Sequence, residues 1–123
     1  MEGSCKEKKG MLTQNWIEYL FSDFQKMDIR IGQIISAEKI KESKKLLILK
    51  VDIGNDKIQI VAGLAKYAEP QQLINKKIAV LTNLEKKRLM GIESQGMLLA
   101  ADNNGIPILL TIDNDAPVGS KMT

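Results

Sequence analysis

An all-β domain with one short helix, built as an OB-fold five-stranded barrel with N- and C-terminal extensions, is the fold this sequence predicts. Three observations point there. Short apolar runs with period-two alternation recur between turns rich in Gly, Asn and Asp, as strands do. A glycine and a phase slip interrupt the first of these runs, the device that curls a sheet toward closure. One short helical stretch falls between the third and fourth strands, and the order strand-strand-strand-helix-strand-strand is that of the OB barrel. The chain divides into an extension, residues 1–22, made of a polar leader and an apolar helix, and a barrel domain, residues 23–123.

Taken in order, Met1 to Gly10 is a polar, charged leader of the mobile kind. Thr13 to Phe21 gathers three of the five aromatic residues. Trp16 and Leu20 lie four apart, so a helix here would put them on one face beside Ile17 and Phe21. Ser22, followed three residues later by Gln25, has the form of a capping box opening a second short helix. Ile29 and Ile31 alternate with Asp28 and Arg30 as a strand; Gly32 and the adjacent Ile34 and Ile35 predict a bulge. Lys39 to Lys45 is a charged loop. Leu47, Leu49, Val51 and Ile53 line one face of a second strand, Gly54-Asn55-Asp56 turns the chain, and Ile58 and Ile60 mark a third strand over 57–62. Pro70 suits the first turn of a short helix within 65–75. Lys77 to Leu84 reads as the fourth strand and Met97 to Ala101 as the fifth. Asp102-Asn103-Asn104-Gly105 is a turn, and Ile106 to Ile112 a further strand, kept near an edge by Pro107.

At 123 residues the chain is large enough for one core without staples, and its single cysteine, Cys5, has no partner for an internal disulfide. No apolar run approaches the ~18 residues of a membrane span, and the leader lacks the apolar core of a signal peptide, so a cytoplasmic protein is expected. Histidine is absent, which removes imidazole acid–base chemistry, Ser-His and Cys-His nucleophile pairs and His-based zinc sites. No carboxylate pair or phosphate-cradling glycine motif replaces them. The expectation is a binding protein and not an enzyme, with no metal and no cofactor. The net charge of +3 is uneven: residues 26–91 carry +7, while residues 1–25 carry −1 and residues 92–123 carry −3. A basic middle between acidic ends suggests an anionic partner met by one face.

The most unusual stretch is Asn83 to Ala101. Three consecutive cations, Lys86, Lys87 and Arg88, precede Leu89-Met90, the chain turns at Gly91, and Ser94-Gln95-Gly96-Met97 precedes a second apolar run. Burying unpaired charge costs several kcal/mol, so a core segment would not look like this. A solvated loop between two strands is expected, and exposed loops on rigid scaffolds are where binding residues concentrate.

Several blocks of the sequence together resemble the tRNA-binding domain family, which occurs alone and as the C-terminal extension of many methionyl-tRNA synthetases. They are Phe24-x-Lys26-x-Asp28-Ile29-Arg30-Ile31-Gly32, Lys50-Val51-Asp52-Ile53-Gly54, Gln59-Ile60-Val61-Ala62-Gly63-Leu64, the Asn83 to Ala100 block with Arg88, Gly91 and Ser94-Gln95-Gly96-Met97, and Pro117-x-Gly119. The resemblance covers roughly residues 23 to 122. It departs at Ile40-Lys41-Glu42-Ser43-Lys44-Lys45, where the family has His-Pro-x-Ala-Asp-Lys, and at Glu85-Lys86, where it has Lys-Pro. Related secretion chaperones share the barrel but differ at Ser94-Gln95-Gly96-Met97, which favours RNA over polypeptide as the ligand and leaves a chaperone-like barrel as the alternative.

The resemblance implies tRNA as partner, with the catalytic subunit of an aminoacyl-tRNA synthetase as a further one, and a homodimer. Lys45, Lys86, Lys87 and Arg88 are then candidates for neutralising phosphates, and Arg30 for a planar fork to phosphate or base. Asn83, Ser94 and Gln95 can donate to phosphates, 2′-hydroxyls or base edges, or cap their own loops instead. Met97 can pack on a base or ribose, or in the core. Tyr67 is the one aromatic residue after Phe24, so shape recognition of a folded RNA through its backbone is expected. Trp16, Ile17, Leu20 and Phe21, with Ile108, Leu110 and Ile112, form the apolar rows expected at a dimer interface, the alternative for the N-terminal stripe being that it folds back to plug one end of its own barrel.

Overall fold

The computed structural model describes residues 17–123. Along the chain come α1 (Phe21–Gln25), β1 (Ile29–Lys39), β2 (Leu47–Asp52), β3 (Lys57–Ala62), α2 (Pro70–Leu73), β4 (Lys77–Leu81), β5 (Lys87–Leu89), β6 (Ile92–Ser94), β7 (Met97–Leu98), β8 (Ala100–Asn103) and β9 (Ile106–Leu109). Strand β1 is the spine. It pairs antiparallel with β2 through its second half and with β4 through its first, and the sheet runs β3-β2-β1-β4-β7. The register slips between Ile34 and Ser36, so the bulge falls at the predicted phase slip and bends β1 away from one neighbour toward the other. Gly32 sits at that bend. A Cβ there would lie 2.7 Å from Val51 Cγ1 and 2.9 Å from Val80 Cγ2, so only glycine lets both strands approach.

The five strands form a nearly closed barrel, the all-β OB-type fold expected. Its interior is made by alternate residues of β1 to β4: Ile34, Leu47, Leu49, Val51, Ile60, Ile78 and Val80 are fully buried. Each such side chain contributes about 1.5–3 kcal/mol by leaving water. The exposed ion pairs Lys26–Asp23 and Lys39–Glu69 are worth ~0–1 kcal/mol apiece, so apolar burial holds the barrel. Where β2 has peeled away from β1, the C-terminal segment takes its place. The Ile31 N–H donates to the Ser120 carbonyl at 2.8 Å, and the Gly119 N–H to the Ile31 carbonyl at 2.7 Å. Helix α2 has Pro70 in its first turn and a reciprocal Glu69–Gln72 capping box, and buries Leu73.

Five expectations change. Residues 13–16 of the predicted helix over Thr13–Phe21, Trp16 included, lie outside the described residues, and residues 17–20 are not helical. Helix α1 starts at Phe21 with Leu20 as N-cap and no side-chain cap, so Ser22 is inside it and does not open a capping box. Strand β4 ends at Leu81, three residues early, because Thr82 and Asn83 turn their polar groups to the Asp28 segment. The fifth strand divides into β7 and β8. The Leu99 N–H donates to the Ala79 carbonyl, after which Ala100 leaves β4 to pair with Leu109. The final strand correspondingly stops at Leu109, and β8–β9 is a separate hairpin with Asn104 and Gly105 at left-handed φ in its turn.

Candidate nucleic-acid interface

The stretch expected to be a solvated loop is ordered. After Asn83 the chain forms the hairpin β5–β6, Leu89 facing Ile92 across a two-residue turn, Met90-Gly91. Both turn residues have left-handed φ, 55° and 77°, the geometry that a right-twisted hairpin favours. The turn falls at Gly91, as the sequence predicts; the strands on either side of it were not expected, because a methionine rarely accepts the left-handed φ that Met90 takes. Lys86, Lys87 and Arg88 are all exposed on β5 and its approach. Arg88 Nη1 donates to the Gly91 carbonyl at 2.9 Å, which folds one guanidinium edge back on the turn.

The Ser94-Gln95-Gly96 block does the opposite. Ser94 is 7% exposed, and its hydroxyl oxygen accepts the Val61 N–H at 3.0 Å. The Gln95 N–H donates to the Gln59 carbonyl, the Gln59 N–H donates to Gln95 Oε1, and Gln59 Nε2 donates to the Glu93 carbonyl, each at 2.8 Å. These bonds close the barrel between β3 and β6, with side chains standing in for ladder partners. Gly96 fits against that seam: a Cβ would lie 2.8 Å from the Leu81 carbonyl oxygen and 3.1 Å from Ile58 Cδ1. Gln95 Nε2 has no acceptor among the described residues and remains a donor.

Arg30 belongs to a third cluster. Its Nε lies 3.0 Å from both Asp28 carboxylate oxygens, and the Thr82 hydroxyl lies 2.7 Å from Asp28 Oδ2. The Thr82 hydroxyl and then the Arg30 guanidinium hold the Asp28 carboxyl below its ordinary value near 3.8. Asn83 is used at both ends, accepting the Asp28 N–H at 2.8 Å and donating to the Lys26 carbonyl at 2.7 Å.

Lys45 lies at the end of a turn shaped by Ser43, whose hydroxyl oxygen accepts the N–H groups of Lys45 and Leu46. It lines a cavity of about 530 Å³ together with Lys66, Tyr67 and Asp102. An adjoining apolar cavity shares Gly63, Ala100 and Pro107 with the first and is lined by Met97, Gly96 and Leu98. Met97 is 45% exposed, so its side chain is at the surface and not in the core. The structure thus places Lys45 and Met97 in two adjoining cavities and leaves Arg30 in the Asp28 cluster. Lys66 and Tyr67 were not singled out as site residues; a lysine beside the one late aromatic was the available signal. Leu20 and Phe21 line an exposed patch with Tyr19, Phe24 and Met27, Ile17 is exposed, and Ile108 and Leu110 are exposed on and just beyond β9. Ile112 is half-buried. Among the described residues no group of acidic or sulfur side chains could hold a metal ion.

The family model described as "Putative tRNA binding domain" matches residues 29–121. The methionine–tRNA ligase of Caldanaerobacter subterraneus is 44% identical over 124 residues, covering 100% of this chain and 19% of that enzyme. That of Methanothrix thermoacetophila is 50% identical over 99 residues, covering 80% of this chain and 15% of the enzyme. The chain thus spans less than a fifth of the length of these curated relatives. Among solved structures, a MetRS-related protein from Pyrococcus horikoshii is 38% identical with a TM-score of 0.81, covering 87% of this chain and 99% of that one. The chaperone CsaA from Bacillus anthracis is 29% identical with a TM-score of 0.80, covering 87% and 100%.

Proposed function

The chain belongs to the tRNA-binding domain family, and from that premise we propose that it is a non-catalytic tRNA-binding module, reading RNA shape and not base sequence. It serves as an accessory or detached subunit of a methionyl-tRNA synthetase, raising the local tRNA concentration at the enzyme by tethering. The observation that carries this reading is the exposed triplet Lys86, Lys87 and Arg88 on a hairpin whose base is bonded to β3. A cation held on a rigid element loses little freedom when it meets a phosphate, and counterion release supplies affinity. Lys45, Arg30 and Met97 are proposed as further contacts, with Gln95 donating through Nε2; Asn83 and Ser94 support them by fixing the backbone. The extension, 1–22, and the domain, 23–123, are proposed as separate functional parts, working in the cytoplasm. No described helix is long and apolar enough to cross a membrane.

Filter retention of labelled tRNA across a salt series tests the proposal. Retention at low salt that falls steeply as salt rises is expected; no retention at low salt removes tRNA as the ligand. The likeness to CsaA favours a second reading, a chaperone-like barrel. Retention of a permanently unfolded polypeptide in place of tRNA would establish that one.

A homodimer is proposed on the two exposed apolar rows, Ile17, Leu20 and Phe21 near one end of the chain and Ile108 and Leu110 near the other. Phe21 is 68% exposed and stacks on Phe24 at 6.1 Å between ring centroids, a surface that a two-fold mate can cover. Light scattering at micromolar concentration checks it: a monomer mass in protein that still binds tRNA rejects the dimer.

A further inference from the structure

The groove between the turn at 63–68 and the β8–β9 hairpin has three properties that belong together. Tyr67 is 49% exposed, and among the described residues its ring stacks on no other. It is held in place by its turn: the Tyr67 and Ala68 N–H groups both donate to the carbonyl of buried Leu64, and the Ala65 N–H donates to the Lys45 carbonyl at 3.1 Å. That last bond ties the Tyr67 turn to the loop carrying Lys45, so both walls are set relative to each other. Lys45 and Lys66, both exposed, bring two cations to the rim. Asp102, on the opposite wall, accepts the Gly105 N–H at 2.7 Å through Oδ1, which braces the hairpin and leaves Oδ2 as an acceptor. The cavity, about 530 Å³, falls within the range of ~300–1,000 Å³ typical of small-ligand sites and is too small for a duplex.

We propose that this groove is a binding site for one unstacked ribonucleotide of the bound RNA. The base lies on the Tyr67 ring, Lys45 and Lys66 meet the flanking phosphates, and Asp102 Oδ2 accepts from an exocyclic amine or a 2′-hydroxyl. Charge selects this occupant over an apolar peptide: an exposed aromatic face between two lysines suits a base with its phosphates, and a carboxylate acceptor suits the donors that RNA displays on bases and ribose. The apolar floor continuing toward Met97 gives the next residue of the strand a surface to follow. The proposal rests on the tRNA-binding reading and adds to the shape-reading interface a single grip on an unpaired base.

Filter binding of tRNA to the wild type, Tyr67→Phe, Tyr67→Ala and Lys66→Ala tests it, with melting curves to verify folding. Tyr67→Phe keeps the ring and should bind within about twofold of wild type. Tyr67→Ala should lose affinity by about five- to one-hundred-fold, the range that stacking on one base supplies, with an unchanged salt slope. Lys66→Ala should lower the slope by about one logarithmic unit. A single-stranded hexaribonucleotide should compete for tRNA on the wild type far better than a six-base-pair RNA duplex, and Tyr67→Ala should abolish that difference. If folded Tyr67→Ala binds tRNA like the wild type, the nucleotide site falls and the tRNA reading stands. If the wild type retains no tRNA, both fall. Competition by an unfolded polypeptide that depends on Tyr67, without competition by the hexaribonucleotide, would reassign the groove to protein.

Discussion

Two polar stretches of this chain, Lys86 to Arg88 and Ser94 to Gly96, lie six residues apart and behave in opposite ways. The first is exposed, and its charges are held out on a hairpin with one inward bond, Arg88 to Gly91. The second faces into the fold, and its polar atoms replace strand partners along β3. Both look like binding residues in a sequence. The difference teaches that polarity in a loop has two uses, and that the partner of each hydrogen-bonding atom decides between them. Changes in the first stretch should act on ligand affinity and salt dependence. Changes in the second should act on stability first.

Gly96→Val is the strongest test of the seam. The added Cβ meets a backbone oxygen, which cannot swing aside as a side chain can, and a branched Cβ adds further bulk. A loss of about 3 kcal/mol in urea unfolding is expected, the upper part of the usual cost of overpacking. A stability within about 0.5 kcal/mol of wild type would show that the seam yields easily. Ser94→Ala comes next. It leaves the Val61 N–H buried without its acceptor, and about 2 kcal/mol should be lost. Ser94→Thr, keeping the oxygen, should recover part of it.

Replacing Lys86, Lys87 and Arg88 together by Ala should leave the urea midpoint nearly unchanged, because exposed charges contribute little to folding. Affinity for many tRNAs alike should fall about ten- to a hundred-fold near physiological salt, and the salt slope should flatten by up to about one logarithmic unit per lost contact. A variant with wild-type affinity and slope would make the triplet a solvated face and nothing more.

Much of the fold was legible because its signals are local. The period-two runs of Leu47 to Ile53 and Ile58 to Ile60 gave β2 and β3, and Gly32 with the Ile34-Ile35 slip gave the bulge. Of the hairpin at 87–94 the turn at Gly91 was legible, but the two strands it joins were not. Its turn uses Met90 at a left-handed φ, and its reward is tertiary, through Gln59 and Ser94. The site divides the same way. Cations can be counted in a sequence, but the inward bonds of Asn83, Ser94 and Gln95 depend on strands distant in the chain. Tyr67 and Lys66 join Lys45 only because the Ala65 N–H ties two loops about twenty residues apart.

The Asp28–Arg30–Thr82 cluster stands between the two regimes, partly exposed and internally bonded, and it yields the smallest effect. The Asp28 carboxyl is held below its ordinary value in the folded protein, first by the Thr82 hydroxyl and then by Arg30. A carboxyl with a depressed folded value adds stability that is complete above its unfolded value, near 3.8, and is lost as pH falls through the folded value. Thr82→Val removes the main cause and should raise the Asp28 value, as carboxyl-detected NMR titration would report. The variant should be less stable than wild type by about 1 kcal/mol at pH 7, with the difference narrowing below about pH 4. The Thr82 hydroxyl also lies 2.9 Å from the Asp28 carbonyl oxygen, so part of the difference will persist in acid. Arg30 decides what this means for binding. With Asp28 ionised, its Nε stays turned inward and the two terminal nitrogens are aimed by that bond. In the variant, tRNA affinity should fall by at most about threefold with the salt slope unchanged, since the charge remains. A slope that drops by a full unit would mean that Arg30 meets a phosphate only when Thr82 and Asp28 hold it there.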